Sequence, residues 1–280
     1  MRLIRYQDAA EFAHRVEPFL VKHEAENNLP LGLIPTLREF SDSPYLACVE
    51  REGEIVAVAL RTPPRGLVLS VMQQMAALDL IAQDVFAEYG STLPSVSGPN
   101  PASDVFADRW HSLSGQAYRL GIAMRIYRLD HVCPVTGVGG EARRVTVRDR
   151  DLLLDWIYSF QSEALGNTDV AQSEASVNRW LSSPSRTLLL WYDEGKPVSM
   201  AGSTGPTPHG IRIGAVYTPP AYRNRGYASA CVADLSQKML DAGYQYCFLF
   251  TDLSNPTSNN IYQKIGYQPV CDVDEYCFDA

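Results

Sequence analysis

The chain has 280 residues, of which 46% are hydrophobic and 20% are charged, which is enough apolar material for two globular domains. The formal net charge of -8 is shared evenly by the two halves, so no basic surface indicates a nucleic-acid partner. The six cysteines form no CxxC pair, and no apolar stretch is long enough to cross a bilayer. We therefore expect a cytoplasmic protein with reduced cysteines and no membrane partner.

The first half alternates strand-like and helix-like segments. Two apolar stretches on either side of Glu52 and Gly53 are typical of a β-hairpin. In chain order, the predicted elements are a hairpin of 45–49 and 55–59, a strand at 67–70, a helix at about 75–89 and a short helix over 107–115.

Residues 130–140 lose all periodicity and gather Pro and Gly, which indicates a linker between two domains. We therefore predict domains at 1–135 and 140–280. A glycine pattern that begins at Gly137 matches the dinucleotide fingerprint formally. Because the residues after it predict a strand and not a helix, we interpret the pattern as part of the linker.

The second half repeats the same order of elements, which favours duplication of one α/β unit. Two unrelated α/β domains remain the alternative. The predicted elements are a strand at 143–147, a helix capped by Asp149 and running to about Leu165, a helix at about 170–182, a hairpin of 187–192 and 197–201, a strand at 211–218, a helix at about 227–241, a buried strand at 246–250, a short helix at about 258–264 and a strand-like tail.

The turn from the strand at 211–218 into the next helix carries the clearest chemical signal. Such a helix start offers unpaired N–H groups and the positive end of the dipole to an anion, above all a phosphate. Gly226 lets the backbone approach a ligand, and Arg223 and Arg225 add positive charge. No Lys-[Ser/Thr] follows the glycine, so the turn is not a Walker A loop. A purely structural helix start is the alternative for this motif alone.

The pattern Arg223-x-x-Gly226-x-Ala228 after an apolar strand resembles the [Gln/Arg]-x-x-Gly-x-[Gly/Ala] loop of the GCN5-related N-acetyltransferase (GNAT) superfamily. The resemblance spans about residues 143–278. Further features typical of the family follow in chain order: a buried strand at 248–250, Asn255, Tyr262 and the Gly-Tyr pair at 266–267.

The resemblance implies an α/β fold with a mixed sheet, arranged as two tandem acyl-CoA N-acyltransferase-like domains. It implies acetyl-CoA (coenzyme A) as the cofactor and an N-acetyltransferase in which a primary amine attacks directly in a ternary complex. The implied acceptor is a small-molecule or peptide amine, and the protein is expected to be a monomer or homodimer.

The resemblance also implies the roles of individual residues. Tyr262 stands near the thioester sulfur and protonates the leaving thiolate, with an aromatic anchor of its short helix as the alternative. Asn255 touches the pantetheine or acetyl end. The pantetheine arm pairs with the backbone of Val216, Tyr217 and Thr218. The pyrophosphate is held by the backbone N–H groups of Arg223, Asn224, Arg225, Gly226, Tyr227, Ala228 and Ser229.

The general base is harder to identify from the sequence. Many relatives carry a Glu on the strand before the loop, whereas residues 211–218 contain no carboxylate. Glu163 is the candidate for a substrate contact or a relayed base, with a solvated surface charge as the alternative. The weaker candidates are Asp252, Asp272, Asp274 and Glu275.

The first half lacks the glycine loop after its strand at 67–70. If Gly115 corresponds to Gly266, the tyrosine position holds His111. We therefore expect a degenerate domain without the cofactor, as in tandem bacterial members of the superfamily. The histidines are scattered, so no metal site is expected. Two further functions stay open: a non-catalytic CoA-binding sensor, and an acyltransferase that uses a longer acyl or an aminoacyl donor.

Overall fold

The computed structural model describes residues 1–39, 42–166 and 168–279. The chain forms two compact units, each built from separate parts of the sequence. The first comprises Met1–Tyr127, Phe250–Pro256 and Pro269–Ala280, and the second comprises Arg128–Leu249 and Thr257–Gln268. The domain limits 1–135 and 140–280 stay predictions.

The described chain contains twelve strands and eight helices, and no described helix is both long and apolar enough to cross a membrane. The strands are β1 (Arg2–Arg5), β2 (Tyr45–Arg51), β3 (Glu54–Arg61), β4 (Leu67–Leu69), β5 (Ser95–Pro99), β6 (Tyr118–Leu129), β7 (Glu141–Arg144), β8 (Thr187–Asp193), β9 (Lys196–Thr204), β10 (Gly210–Tyr217), β11 (Tyr246–Asp252) and β12 (Gln268–Phe278). The helices are α1 (Ala9–Leu20), α2 (Asn28–Leu33), α3 (Ala77–Tyr89), α4 (Ala102–Ser114), α5 (Arg150–Leu165), α6 (Val170–Ser182), α7 (Tyr227–Asp241) and α8 (Pro256–Ile265).

The first unit is a mixed sheet in the order β1-β2-β3-β4-β5-β12-β6. Neighbouring strands from β1 to β4 are antiparallel, and β4 and β5 run parallel. β12 pairs antiparallel with β5, from Val273 opposite Pro99 to Cys277 opposite Ser95. Apolar side chains from α3 and α4 cover one set of strand residues, with Trp110 fully buried among them.

The second unit contains the antiparallel series β7-β8-β9-β10, with β11 parallel to β10. Its apolar core joins α5 and α6 to β8 and β9. Leu153, Ile157 and Val177 from the helices pack with Leu190 and Met200 from the strands. The amphipathic spacing of α5 therefore places one of its faces against the sheet.

Several predicted elements agree closely with the structure. Both predicted hairpins form, as β2–β3 and β8–β9. α6 and α7 occupy the predicted ranges, 170–182 and 227–241. The glycine pattern at Gly137 leads into strand β7 and not into a helix, so the dinucleotide fingerprint is correctly rejected.

Asp149 does not cap α5 in the way that the sequence predicts. It stands at the N-cap position without a side-chain capping bond to α5. Its carboxylate accepts from the Thr146 N–H at 2.7 Å and from Arg143 Nη2 at 2.7 Å. Asp149 therefore completes a capping box on the 3₁₀ turn that precedes the helix.

Candidate functional site

β10 leaves its parallel neighbour after three paired residues. The pairing with β11 runs from Gly210 to Arg212 only, while β10 continues to Tyr217. The register with β9 also shifts between Gly214 and Tyr217, and Ala215 takes a left-handed backbone conformation with φ 48°. Residues 213–217 thus have one backbone edge without a strand partner in the described part of the chain. Such an edge can accept an extended ligand as if it were another strand.

The turn after β10 ends the strand and starts α7. Pro219 and Pro220 stop the ladder, and a 3₁₀ turn at Pro220–Tyr222 follows. Asn224 (φ 62°) and Gly226 (φ 82°) both adopt left-handed conformations on either side of Arg225. Alternating backbone conformations of this kind turn successive N–H groups toward one concavity, which is a common anion-binding arrangement.

The backbone N–H groups of residues 224–229 have no hydrogen-bond partner among the residues that the structure describes. Gly226 occupies the N-cap position of α7 and, because it has no side chain, makes no side-chain hydrogen bond to the first N–H groups of the helix. At the start of α7, the first hydrogen bond of the helix runs from the Ala230 N–H to the Gly226 carbonyl, at 3.0 Å. The start of α7 therefore carries a set of unsatisfied donors together with the positive end of the helix dipole.

Gly226 also lies in close contact with the segment before β7. A Cβ on Gly226 would lie 2.7 Å from Val138 Cγ2. The carbonyl of Gly139 accepts from the Trp191 indole at 2.9 Å, which fixes this segment to β8. Packing and a hydrogen bond thus hold Val138 and Gly139, which lie in the predicted linker, beside the turn.

Arg223 connects the turn to β10 and α5. Its Nε donates to the Thr218 carbonyl at 2.9 Å, and its Nη2 donates to Glu163 Oε2 at 2.6 Å. The other oxygen of Glu163 lies 3.4 Å from the Tyr217 hydroxyl, which is a long hydrogen bond. Nearly half of the Arg223 and Glu163 side-chain surfaces stays exposed. The predicted residues Glu163, Tyr217, Thr218 and Arg223 are thus brought together.

A buried hydroxyl on the neighbouring strand β9 holds the end of β10, and the sequence did not predict it. Ser199 is fully buried on β9, and its hydroxyl bonds the Tyr217 carbonyl at 3.2 Å and the Thr218 hydroxyl at 2.8 Å. The Tyr217 ring is buried and meets the Trp156 ring edge to face, with centroids 6.0 Å apart. A serine within an apolar strand is the only sequence signal for this support.

The first turn of α7 has a second attachment. The Tyr227 hydroxyl donates to the Asp193 carboxylate at the end of β8. This hydrogen bond raises the pKa of Tyr227, because it favours the protonated phenol. Ala228 and Ser229 follow on the same turn. These contacts hold the helix start in place while leaving its N–H groups free to bind a ligand.

Tyr262 lies on α8 and is buried, with 9% of its surface exposed. Its ring meets the Tyr267 ring edge to face at 6.0 Å. Desolvation by burial raises the pKa of Tyr262 to about 12. Within the described residues its hydroxyl has no hydrogen-bond partner, whereas the Tyr267 hydroxyl is bonded to Ser236 at 2.8 Å. Tyr262 therefore carries a protonated hydroxyl that is available to another molecule.

The remaining predicted site residues belong to the first unit. Asn255 lies in the part Phe250–Pro256, where its N–H donates to the Asp252 carbonyl at 3.1 Å. Each of the three candidate carboxylates in the tail has a partner within that unit: Asp272 binds Arg125, Asp274 binds Asn100 and Glu275 binds Ser95. No group of three or more His, Cys, Asp or Glu side chains in the described ranges is arranged to hold a metal ion.

One part of the sequence matches a known family. Residues 152–267 match the model described as the acetyltransferase (GNAT) family. The match includes β10, the turn at 218–226, α7 and Tyr262. No curated protein sequence is significantly similar to the chain.

Solved structures share the fold over nearly the whole chain. A Drosophila protein has a TM-score of 0.68 and 15% identity, covering 99% of this chain and 98% of its own. A GCN5-related N-acetyltransferase from Sphaerobacter thermophilus has a TM-score of 0.63 and 18% identity, covering 98% and 94%. A tandem GNAT protein from the clavulanic acid biosynthesis pathway has a TM-score of 0.59 and 11% identity, covering 98% and 97%. The predicted α/β fold with two tandem acyl-CoA N-acyltransferase-like domains is confirmed.

Proposed function

Because residues 152–267 match the model of the GNAT acetyltransferase family, we propose that the protein moves an acetyl group from acetyl-CoA to a primary amine by direct attack in a ternary complex. The observation that carries the proposal is the set of unpartnered N–H groups at residues 224–229, next to the unpaired edge of β10. Together these features suit a ligand that has both a diphosphate and an extended amide chain.

The pyrophosphate of acetyl-CoA is assigned to the turn at residues 223–229. Backbone N–H groups provide directional donors, and the dipole of the 15-residue helix α7 favours negative charge at its start. Arg225 is exposed beside them and adds a positive charge. Gly226 leaves room for the phosphate oxygens to come close to the backbone.

The pantetheine arm is assigned to the unpaired edge of β10, along Val216, Tyr217 and Thr218. Its two amides can pair with backbone groups there as a strand would. No protein atom lies within 4 Å of the position that a Cβ on Gly214 would take, so the face of β10 at this residue is open. Asn255 stays a predicted contact for the pantetheine or acetyl end.

The chemistry requires one bond to form and one to break. The lone pair of the amine attacks the thioester carbonyl carbon, the C–N bond forms and the C–S bond breaks. The thiolate takes the proton of the Tyr262 hydroxyl, and the proton lost by the amine returns to the phenolate through water. A phenol with a pKa of about 12 is fully protonated at neutral pH, so the acid is always present in its active form.

Glu163 stays a predicted base or substrate contact, although its observed contacts favour another role. One of its oxygens is engaged by Arg223 and the other faces the Tyr217 hydroxyl. We therefore assign deprotonation of the amine to a water relay. The absence of a carboxylate from β10 agrees with this assignment.

The first unit is proposed to bind no acetyl-CoA, because the turn after β4 is already satisfied by the protein. The Val71 N–H donates to Asn27 Oδ1 at 2.9 Å, and the Gln73 N–H donates to the Val56 carbonyl at 2.9 Å. Donors that are bound within the protein are not available to a phosphate. This supports the predicted degenerate domain and a stoichiometry of one acetyl-CoA per chain.

A non-catalytic CoA-binding sensor is the second candidate. It is favoured by the missing carboxylate on β10 and by the engagement of Glu163 with Arg223. Calorimetry with acetyl-CoA, followed by a thiol-release assay against a panel of small and peptide amines, separates the two functions. Binding with release supports the enzyme, binding without release with any amine supports the sensor, and no binding contradicts both. A cytoplasmic location and a monomer or homodimer stay predictions.

A further inference from the structure

We infer that Glu163 is a positioning residue, which acts through Arg223 to hold the pyrophosphate turn in its binding conformation. The inference rests on the proposed function, since it assigns a role within the same acetyl-CoA site. Glu163 on α5 then has a structural role and is not the base. We use the word brace for the contacts of Arg223 with Glu163 and with the Thr218 carbonyl, which link α5, β10 and the turn.

The guanidinium of Arg223 is held at two points. Nε donates to the Thr218 carbonyl at the end of β10, and Nη2 donates to Glu163 near the end of α5. Arg223 is also the residue immediately before Asn224, where the left-handed backbone of the turn begins. Fixing this side chain therefore fixes the backbone from which the phosphate-binding N–H groups project. A planar guanidinium suits this task, because it reaches two acceptors in a fixed geometry.

The position of Thr218 is itself held by hydrogen bonds to β9. Its hydroxyl bonds the buried Ser199 at 2.8 Å, and the same serine bonds the carbonyl of Tyr217. On the other side of Arg223, Glu163 belongs to α5, and this helix is held in the core by Leu153 and Ile157. The brace consists of the Thr218 carbonyl, the Arg223 guanidinium and the Glu163 carboxylate. Removing the Glu163 carboxylate is expected to leave the core and the strand unchanged.

A base and a brace respond differently to small changes at the same position. Glu163→Gln removes the basic carboxylate but keeps an oxygen that accepts from Arg223, and Glu163→Ala removes both. A brace therefore tolerates glutamine and fails with alanine, whereas a base fails equally with both. Because an exposed ion pair contributes little to folding stability, neither substitution is expected to shift the melting temperature.

The test compares wild type, Glu163→Gln, Glu163→Ala, Arg223→Ala and the double alanine variant, with Glu174→Ala on the exposed face of α6 as the matched control. Each variant is measured for acetyl-CoA affinity by calorimetry and for kcat and KM. We expect Glu163→Ala to weaken binding on the order of tenfold, with kcat within about threefold of wild type. Glu163→Gln is expected to bind nearly as wild type, and the double variant no worse than Arg223→Ala alone.

Every outcome decides the inference. Unchanged affinity in Glu163→Ala, or additive losses in the double variant, would overturn the brace while leaving the acetyl-CoA site intact. A loss of kcat of a hundredfold or more in Glu163→Gln would make Glu163 the base instead. A wild-type protein that does not bind acetyl-CoA would overturn the proposed function, and the brace with it.

Discussion

Val138 and Gly226 face each other so closely that a Cβ on Gly226 would lie 2.7 Å from Val138 Cγ2. Gly226 also has φ 82°, a left-handed conformation that costs an L-residue about 1–2 kcal/mol. Two independent features thus require glycine at the start of α7. The same atoms border the proposed phosphate site, so a side chain here is expected to disturb binding.

We predict that Gly226→Val weakens acetyl-CoA binding at least about tenfold, because the turn must move to relieve both the clash and the strain. Calorimetry on the purified variant measures the loss. Gly243→Val is the matched control, since Gly243 lies past the other end of α7 with φ 103° and open space around its Cβ position. Equal losses in both variants would show a general effect on α7 and contradict the phosphate assignment.

A second comparison separates clash from strain at Gly226. Gly226→Ala combined with Val138→Ala removes the contact but keeps the left-handed backbone. Partial recovery of affinity relative to Gly226→Ala alone is expected, with the same titration as the measurement. No recovery would indicate that backbone conformation alone accounts for the requirement.

Tyr262 and Tyr267 form a natural pair for testing the general acid. Tyr262→Phe is expected to lower kcat by about 10²- to 10⁴-fold with little change in acetyl-CoA affinity, since only the proton donor is lost. Its ring contact with Tyr267 is retained, so the fold should be unaffected. Steady-state kinetics and calorimetry on the same preparation give both quantities.

Tyr267→Phe provides the control. It removes the hydrogen bond to Ser236 and is expected to cost about 1 kcal/mol of stability without changing kcat. Thermal unfolding and the thiol-release assay check this. If the two variants lose activity equally, or Tyr262→Phe loses none, Tyr262 is an aromatic anchor and not the acid.

The cofactor side of the site was predictable from sequence because its signals are local. Pro219, Pro220 and Gly226 mark a strand end and a helix start within eight residues, and α7 begins and ends where its spacing indicates. The bulge at Ala215 was not predictable. A left-handed conformation at an alanine is imposed by tertiary packing and has no signature in the local sequence.

Non-local pairing limits what the sequence can show about the C-terminal tail. The tail was predicted to be strand-like, and β12 is a strand, but its partner β5 lies about 180 positions earlier. Alternation within a strand indicates which residues share a face and not which strand lies beside it. The ion pair of Glu163 and Arg223, 60 residues apart, was out of reach for the same reason.

The dependence of kcat/KM on pH should report the acceptor amine and not Tyr262. An alkyl amine with a pKa near 10.4 gains its reactive neutral form as pH rises, so log kcat/KM is expected to climb from pH 6 toward pH 9. Burial raises the pKa of Tyr262 to about 12, so the phenol keeps its proton throughout this range. Initial rates in overlapping buffers measure the profile. A fall between pH 8 and pH 10 that disappears in Tyr262→Phe would contradict the raised pKa.

The turn after β4 in the first unit has its N–H groups bound within the protein, which leads to predictions about stability and stoichiometry. Asn27 is fully buried, and its side chain binds both the Val71 N–H at 2.9 Å and the Leu20 carbonyl at 3.0 Å. Asn27→Ala removes both hydrogen bonds from a buried position, at a cost on the order of 1–3 kcal/mol of unfolding free energy. Chemical denaturation measures this, with the exposed Asn178→Ala as the control that should change it by less than about 0.5 kcal/mol.

The same titrations decide whether the first unit holds a ligand of its own. Wild type is expected to bind one acetyl-CoA per chain, and Gly226→Val should leave no second, weaker site. Because the Val71 and Gln73 N–H groups already have partners, a phosphate could bind there only by displacing Asn27 or opening the contact with Val56. Two sites per wild-type chain, or residual stoichiometric binding after Gly226→Val, would show that the turn opens and that the first unit is not degenerate.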